Sequence, residues 1–162
     1  MIQREHSFSP GKATYPINLL LTNRPCLVVG GGAVACRKIR GLLDVEALVT
    51  VVAIQVDTEI LSLAEDHQLV LCRRPYQESD LEAMTLVFAA TNKHEVNAAV
   101  MADCREKGIL CCAVDEQWSA GDFITPASFQ SDGVTVSIST GGHACKEAKR
   151  IRELVERYLK TV

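Results

Sequence analysis

Three consecutive glycines, Gly30, Gly31 and Gly32, are followed by Ala33, Val34 and Ala35. They form G-x-G-x-x-A between the apolar run "CLVV" and an amphipathic run, the setting in which bare backbone can approach a dinucleotide diphosphate. Gly30 would make the tight turn, Gly32 would leave room for the pyrophosphate, and Ala35 would let helix and strand pack closely. The first N–H groups of the ensuing helix lack intrahelical acceptors and would face the phosphates. A structural turn with no nucleotide is the competing explanation.

A ribose-binding acid is expected about 20 residues further on. "TVVAIQVDTE" has no acid from Thr50 to Val56, and Asp57 comes late. Gln55 can bond a ribose hydroxyl, and backbone groups at Ala53 and Ile54 can hold the adenosine. NAD is the favoured coenzyme, with NADP open.

Two further places carry chemistry. In "FAATN", Ala89 and Ala90 leave space while Thr91 and Asn92 offer hydrogen bonds at a strand end, where open α/β sheets bind ligands. Thr91 or Asn92 can equally cap the next helix. Asp115, at the carboxyl end of "ILCCAV", lies on the same rim. It reads either as a group that reaches the reacting centre or as an acidic turn residue.

The elements that must position these residues follow from apolar patterning. Strands are expected at Ile17–Leu21, at "CLVV", at Leu48–Ile54, Leu69–Cys72, Thr85–Ala90 and Ile109–Val114. Helices are expected from Ala33 to about Leu43, over "TEILSLAEDH" with Thr58 as its N-cap, and over "HEVNAAVMADCREK" ending at Gly108. Strands alternating with helices imply a parallel sheet with right-handed crossovers. After Asp115 the pattern changes: "FITPASFQ" and "VTVSIST" flank Asp132-Gly133, a hairpin signal. A last helix then carries Ile151, Leu154, Val155, Tyr158 and Leu159 on one stripe. The expected architecture is an α/β, Rossmann-like domain over 1–114, followed by a hairpin-and-helix segment over 115–162 that packs on the first domain or on a second subunit.

With 48% hydrophobic and 23% charged residues, the chain has the composition of a folded globule. A net charge of −3 argues against general nucleic-acid affinity. Between Lys146 and Val162, however, six basic residues face three acidic ones, so this end could meet an anion or simply form a solvated helix face. No apolar run approaches the roughly 20 residues needed to span a bilayer. The seven cysteines form no spaced framework, and His6, His67, His94 and His143 are scattered. Reduced thiols in a cytoplasmic protein fit best, and a thiolate metal site is not expected.

The segments "CLVVGGGAVACRK", "VFAATN" with Val96-Asn97, "AVD" ending at Asp115, "FITPAS" and "VSISTGG" occur in one order over roughly Tyr15 to Leu159. In that order the chain resembles the precorrin-2 dehydrogenase family, the N-terminal module of siroheme synthases. The resemblance implies NAD-dependent oxidation of precorrin-2 to sirohydrochlorin, a catalytic aspartate at Asp115, and a homodimer formed through the segment after the nucleotide domain. It also implies a substrate rich in carboxylates. Backbone N–H groups of Ser139, Thr140, Gly141 and Gly142, together with Lys146, could hold one of these, as could Arg37, Lys38, Lys149 and Arg150. Capping of the last helix is the plainer role for Ser139–Gly142. The chain departs from the family after S-T-G-G, reading His143-Ala144-Cys145 where a small or basic residue and Ser-Pro are usual. Thr140 matches a position often phosphorylatable in the family. Relatives also carry a further helical domain that helps form the substrate cleft.

Two alternatives remain beside this reading. Some family members insert iron as sirohydrochlorin ferrochelatases, alone or in addition to the oxidation. A non-catalytic module that senses a nucleotide or carries a tetrapyrrole could use the same frame.

Overall fold

A computed structural model describes residues 14–114 and 120–161. Asn18–Phe123 forms one compact unit, and 124–161 together with 14–17 fall in a second.

The first unit is an α/β sheet layer. Its elements are β1 (Pro25–Val29), α1 (Ala33–Leu43), β2 (Leu48–Val52), α2 (Thr58–Glu65), β3 (Val70–Cys72), a single 3₁₀ turn (Glu78–Leu81), β4 (Leu86–Ala89), α3 (His94–Lys107) and β5 (Leu110–Ala113). The five strands lie in the order β3-β2-β1-β4-β5 and every pairing is parallel. The chain therefore builds outward from β1 in one direction, then returns to β1's other side with β4. Such an order creates a crevice between the carboxyl ends of β1 and β4.

Successive strand residues point to opposite faces, and helices cover both. Cys26 and Val28 join Ala35, Ile39, Leu42, Val51, Ile60 and Phe88 under α1 and α2. Leu27 and Val29 join Val52, Val87, Val100, Met101 and Cys104 under α3. Two covered faces explain why these strands are apolar without alternation. A buried Leu, Ile or Val side chain contributes roughly 1.5–3 kcal/mol relative to exposure, so this paired core fixes the register that sets the rim. Burial also pushes the Cys26 thiol up to about 11 and raises that of Cys112, so both stay protonated, acting as small apolar groups.

The expected strand at Ile17–Leu21 is absent: these residues have no regular structure. The run pairs with neither edge strand of the sheet, β3 or β5. Ile17 and Leu20 are exposed, and Leu21 alone of the five reaches the core. Thr58 is not the cap of α2 either. Asp57 is, its carboxylate accepting the Glu59 N–H at 3.1 Å. Arg40 on α1 forks onto the Glu59 carboxylate. Beyond β3, the Arg74 guanidinium donates to Asp80 at 2.8 Å and holds that carboxyl below the usual range. Tyr76 donates its hydroxyl to Asp103 on α3 at 2.9 Å.

In the second unit β6 (Ala127–Ser131) and β7 (Val134–Ile138) form an antiparallel hairpin. Asp132 and Gly133 turn it with φ of 49° and 79°, the left-handed pair that a two-residue turn matched to strand twist requires. α4 (Cys145–Leu159) packs on both strands. Ion pairs such as Glu147–Arg150 and Arg152–Glu156 lace its polar side. Among the described residues, no helix is long and apolar enough to cross a membrane.

Candidate functional site

The glycine turn leaves β1 at the crevice, and its three residues serve three different ends. Gly30 has φ 130°, and a side-chain carbon there would lie 2.3 Å from the Ala90 carbonyl oxygen. Its N–H donates to the Val52 carbonyl at 2.9 Å, carrying the ladder one residue past β1. Gly31 is excluded from carrying a side chain by space alone: a carbon there would lie 2.2 Å from the Gln55 carbonyl oxygen. Its own carbonyl accepts the Asp57 N–H at 2.8 Å. Gly32 is the one of the three with nothing within 4 Å of that direction.

Gly32 is also the N-cap of α1, and no side chain caps that end. In the same unit α2 is capped by the Asp57 side chain, while α3, like α1, has no side-chain cap. Helix geometry leaves the N–H groups of the first turn without internal acceptors, so α1 opens onto the crevice with bare donors and a partial positive charge. A small-residue cradle of this kind fits a diphosphate. Ala33 is exposed, Val34 half-buried and Ala35 fully buried against the strands, consistent with close helix–strand packing. Ile54 and Gln55 are exposed just past the end of β2, available to an adenosine, while the Gln55 carbonyl supports Gly31.

At the end of β4, Thr91 is half-buried and Asn92 exposed. The Thr91 hydroxyl accepts the N–H of Lys93, the N-cap residue of α3, at 3.1 Å. Its larger commitment is to Asn97, whose Oδ1 accepts the Thr91 N–H at 3.1 Å and the Thr91 hydroxyl at 2.8 Å. Asn97 Nδ2 donates to the Thr91 carbonyl at 3.0 Å. Asn97 is fully buried, and reading the residues for site chemistry passed it over. Its signal was available in the spacing: position 97 falls on the stripe of Val100, Met101 and Cys104, where a polar residue needs a reason.

The other candidates are placed as follows. Asp115 lies outside the described residues. Arg37 is exposed, whereas the half-buried Lys38 lays its ammonium 5.2 Å from the centre of the Phe88 ring, a cation–π contact. Phe123 meets the same ring edge-on at 5.5 Å. In the second unit, Ser139 Oγ accepts the Gly141 N–H at 3.2 Å and Thr140 Oγ1 accepts the Ala144 N–H at 3.1 Å. Two N–H groups of that loop are thus engaged internally, as in a helix cap. Lys146 is exposed on the first turn of α4. Among the described residues, no three of His, Cys, Asp and Glu gather to hold a metal ion.

Comparison with known proteins bears on this geometry. Residues 17–127 match the model of a family described as putative NAD(P)-binding. The chain is 41% identical over 144 residues to a siroheme synthase of Psychromonas ingrahamii, covering 89% of this chain and 30% of that protein. It is 40% identical over 141 residues to a siroheme synthase of Methylococcus capsulatus, covering 87% and 30%. It therefore spans about 30% of the length of these curated relatives. Among solved structures it is similar to SirC, a precorrin-2 dehydrogenase, with a TM-score of 0.77 and 34% identity over 90% of this chain and 71% of that one.

Proposed function

This chain belongs to the precorrin-2 dehydrogenase family and carries its NAD(P)-binding domain, and from that premise we propose that it oxidises precorrin-2 to sirohydrochlorin with NAD. The observation that carries the proposal is the open cradle at Gly32, set where the strand order reverses and where α1 presents uncapped N–H groups. Gly32, Ala33 and Val34 hold the diphosphate on backbone, over the turn that Gly30 and Gly31 shape. Ile54 and Gln55 receive the adenosine end, the Gln55 amide bonding a ribose hydroxyl in place of the customary acid. Thr91 and Asn92 border the nicotinamide end.

The oxidation takes a hydride and a proton from the tetrapyrrole, and the bound nicotinamide supplies the hydride acceptor. The chain itself supplies position and proton transfer. In the sequence Asp115 comes two residues after β5, whose carboxyl end shares the rim with β1 and β4. It acts as the general base, a role typically contributing about 10²–10⁴-fold. The loop Ser139, Thr140, Gly141 and Gly142, with Lys146, binds substrate carboxylates through the N–H groups it has left and the lysine charge. The chain works as a homodimer: Leu154, Tyr158 and Leu159 on α4 and Val134 on β7 are large apolar residues left exposed, which favours a covering partner.

Incubating precorrin-2 with the protein and NAD, and following sirohydrochlorin absorbance together with NADH formation, tests the proposal. Equal yields of the two are expected. Asp115→Asn is expected to lower turnover by about 10²–10⁴-fold with NAD affinity retained. NAD binding without turnover in the parent protein would reduce the role to that of a nucleotide-binding module.

A further inference from the structure

We propose that Asn97 is a positioning residue for the coenzyme: its carboxamide holds the Ala90–Thr91 peptide against the Gly30 turn and so fixes the shape of the cradle. The inference rests on the coenzyme reading above.

Asn97 is the one fully buried polar side chain among the described residues. Burying an amide is unfavourable unless its hydrogen bonds are met, and packing alone would be served by an apolar residue on that stripe of α3. Three hydrogen bonds join this carboxamide to Thr91, and two of them go to its backbone N–H and C=O. That is the pairing a neighbouring strand would give. The β4–β5 ladder closes at the bond from the Val114 N–H to the Ala89 carbonyl, and two residues further along, at Thr91, the Asn97 side chain stands in for a strand.

The peptide so held is not an arbitrary one. No peptide bond among the described residues is cis, so the C=O and N–H of the Ala90–Thr91 unit point in opposite directions. Its N–H is given to Asn97. Its carbonyl oxygen lies against Gly30, close enough that a Cβ there would be 2.3 Å away. The plane is clamped between the carboxamide on one side and the glycine turn on the other. Release of the Asn97 side lets the plane rotate, and the Ala90 oxygen then moves relative to the turn that leads into Gly32. In this chain of effects Asn97 acts through the peptide it holds.

The test measures NAD affinity by calorimetric titration, together with KM for NAD, kcat and thermal stability, for the parent, Asn97→Ala and Asn97→Asp. Asn97→Ala removes every bond to Thr91. Its dissociation constant and KM for NAD are expected to rise about tenfold or more, the effect of displacing a positioning group. kcat at saturating NAD should stay within about threefold, since the chemistry is not touched. Asn97→Asp keeps an acceptor for the Thr91 N–H while burying a charge, so it is expected to lose stability yet hold NAD more tightly than Asn97→Ala. If Asn97→Ala does not fold, Asn97→Leu, which retains the apolar packing, takes its place with the same expectation. Affinity equal to the parent's in a folded Ala or Leu variant overturns the inference, as does affinity that follows thermal stability across all variants. A parent that binds no NAD overturns the coenzyme reading and this inference with it, whereas a parent that binds alongside an Asn97 variant that binds equally overturns this inference alone.

Discussion

At the residue scale, the G-G-G run separates into two structural requirements and one functional one. Gly30 needs its φ of 130° and lies against the Ala90 carbonyl; Gly31 is closed off by the Gln55 carbonyl; Gly32 faces open space. Gly30→Ala is therefore expected to destabilise the fold, by about 1–3 kcal/mol from backbone strain alone and by more from the clash with Ala90. Chemical denaturation checks this, and an unchanged midpoint would mean the turn is looser than it looks. The roles of Gly30 and of Ala35 were legible in the sequence, because a strand, a glycine turn and a helix in succession leave little choice of backbone. The constraint on Gly31 was not, since it depends on the β2–α2 connection folding back over it. Asn97 was half legible. Its place on the buried stripe could be read from spacing, but its partner lies six residues upstream, in a turn that only the sheet's register brings beneath it.

At the element scale, the parallel strands β1 to β5 were legible because both faces of such a sheet are buried and the apolar runs stand out against polar helix ends. Ile17–Leu21 shows the limit of that signal. An apolar run becomes a strand only where it meets a partner edge, and this one joins neither β3 nor β5 and sends only Leu21 into the core. Helix starts were legible to within a residue, and one residue changes which side chain matters. Asp57, extended and accepting the Glu59 N–H, caps α2, while Thr58 is its first helical residue. Asp57→Ala should cost about 0.5–2 kcal/mol; Thr58→Ala should cost less. Paired thermal melts decide this, and a larger loss at Thr58 would reverse the assignment. The cap also bears on the site, because the Asp57 N–H holds the Gly31 carbonyl.

At the scale of the whole molecule, two units carry the two parts of the proposal, coenzyme on the sheet and substrate contacts on the hairpin-and-helix unit. The hairpin was legible from Asp132-Gly133, where turn chemistry is local. The fate of the α4 stripe was not, because a helix with an apolar side looks the same in sequence whether that side is buried in its own chain or against another. Tyr158 is 67% exposed. Sedimentation equilibrium is expected to give a dimer for the parent and a shift toward monomer for Tyr158→Asp, through a charge placed in an apolar contact; a monomeric parent would remove the dimer from the account. The central claim, that a diphosphate lies on the bare backbone at the start of α1, is tested most directly by titrating NAD into the parent and into Gly32→Val. With nothing within 4 Å of the added carbon, the variant should melt within a degree or two of the parent, as an ordinary surface change does. The account predicts saturable one-to-one binding in the parent and a loss of about 100-fold or more in the variant, from filling space that the ligand backbone must enter. A folded Gly32→Val protein that takes up NAD as tightly as the parent would contradict it.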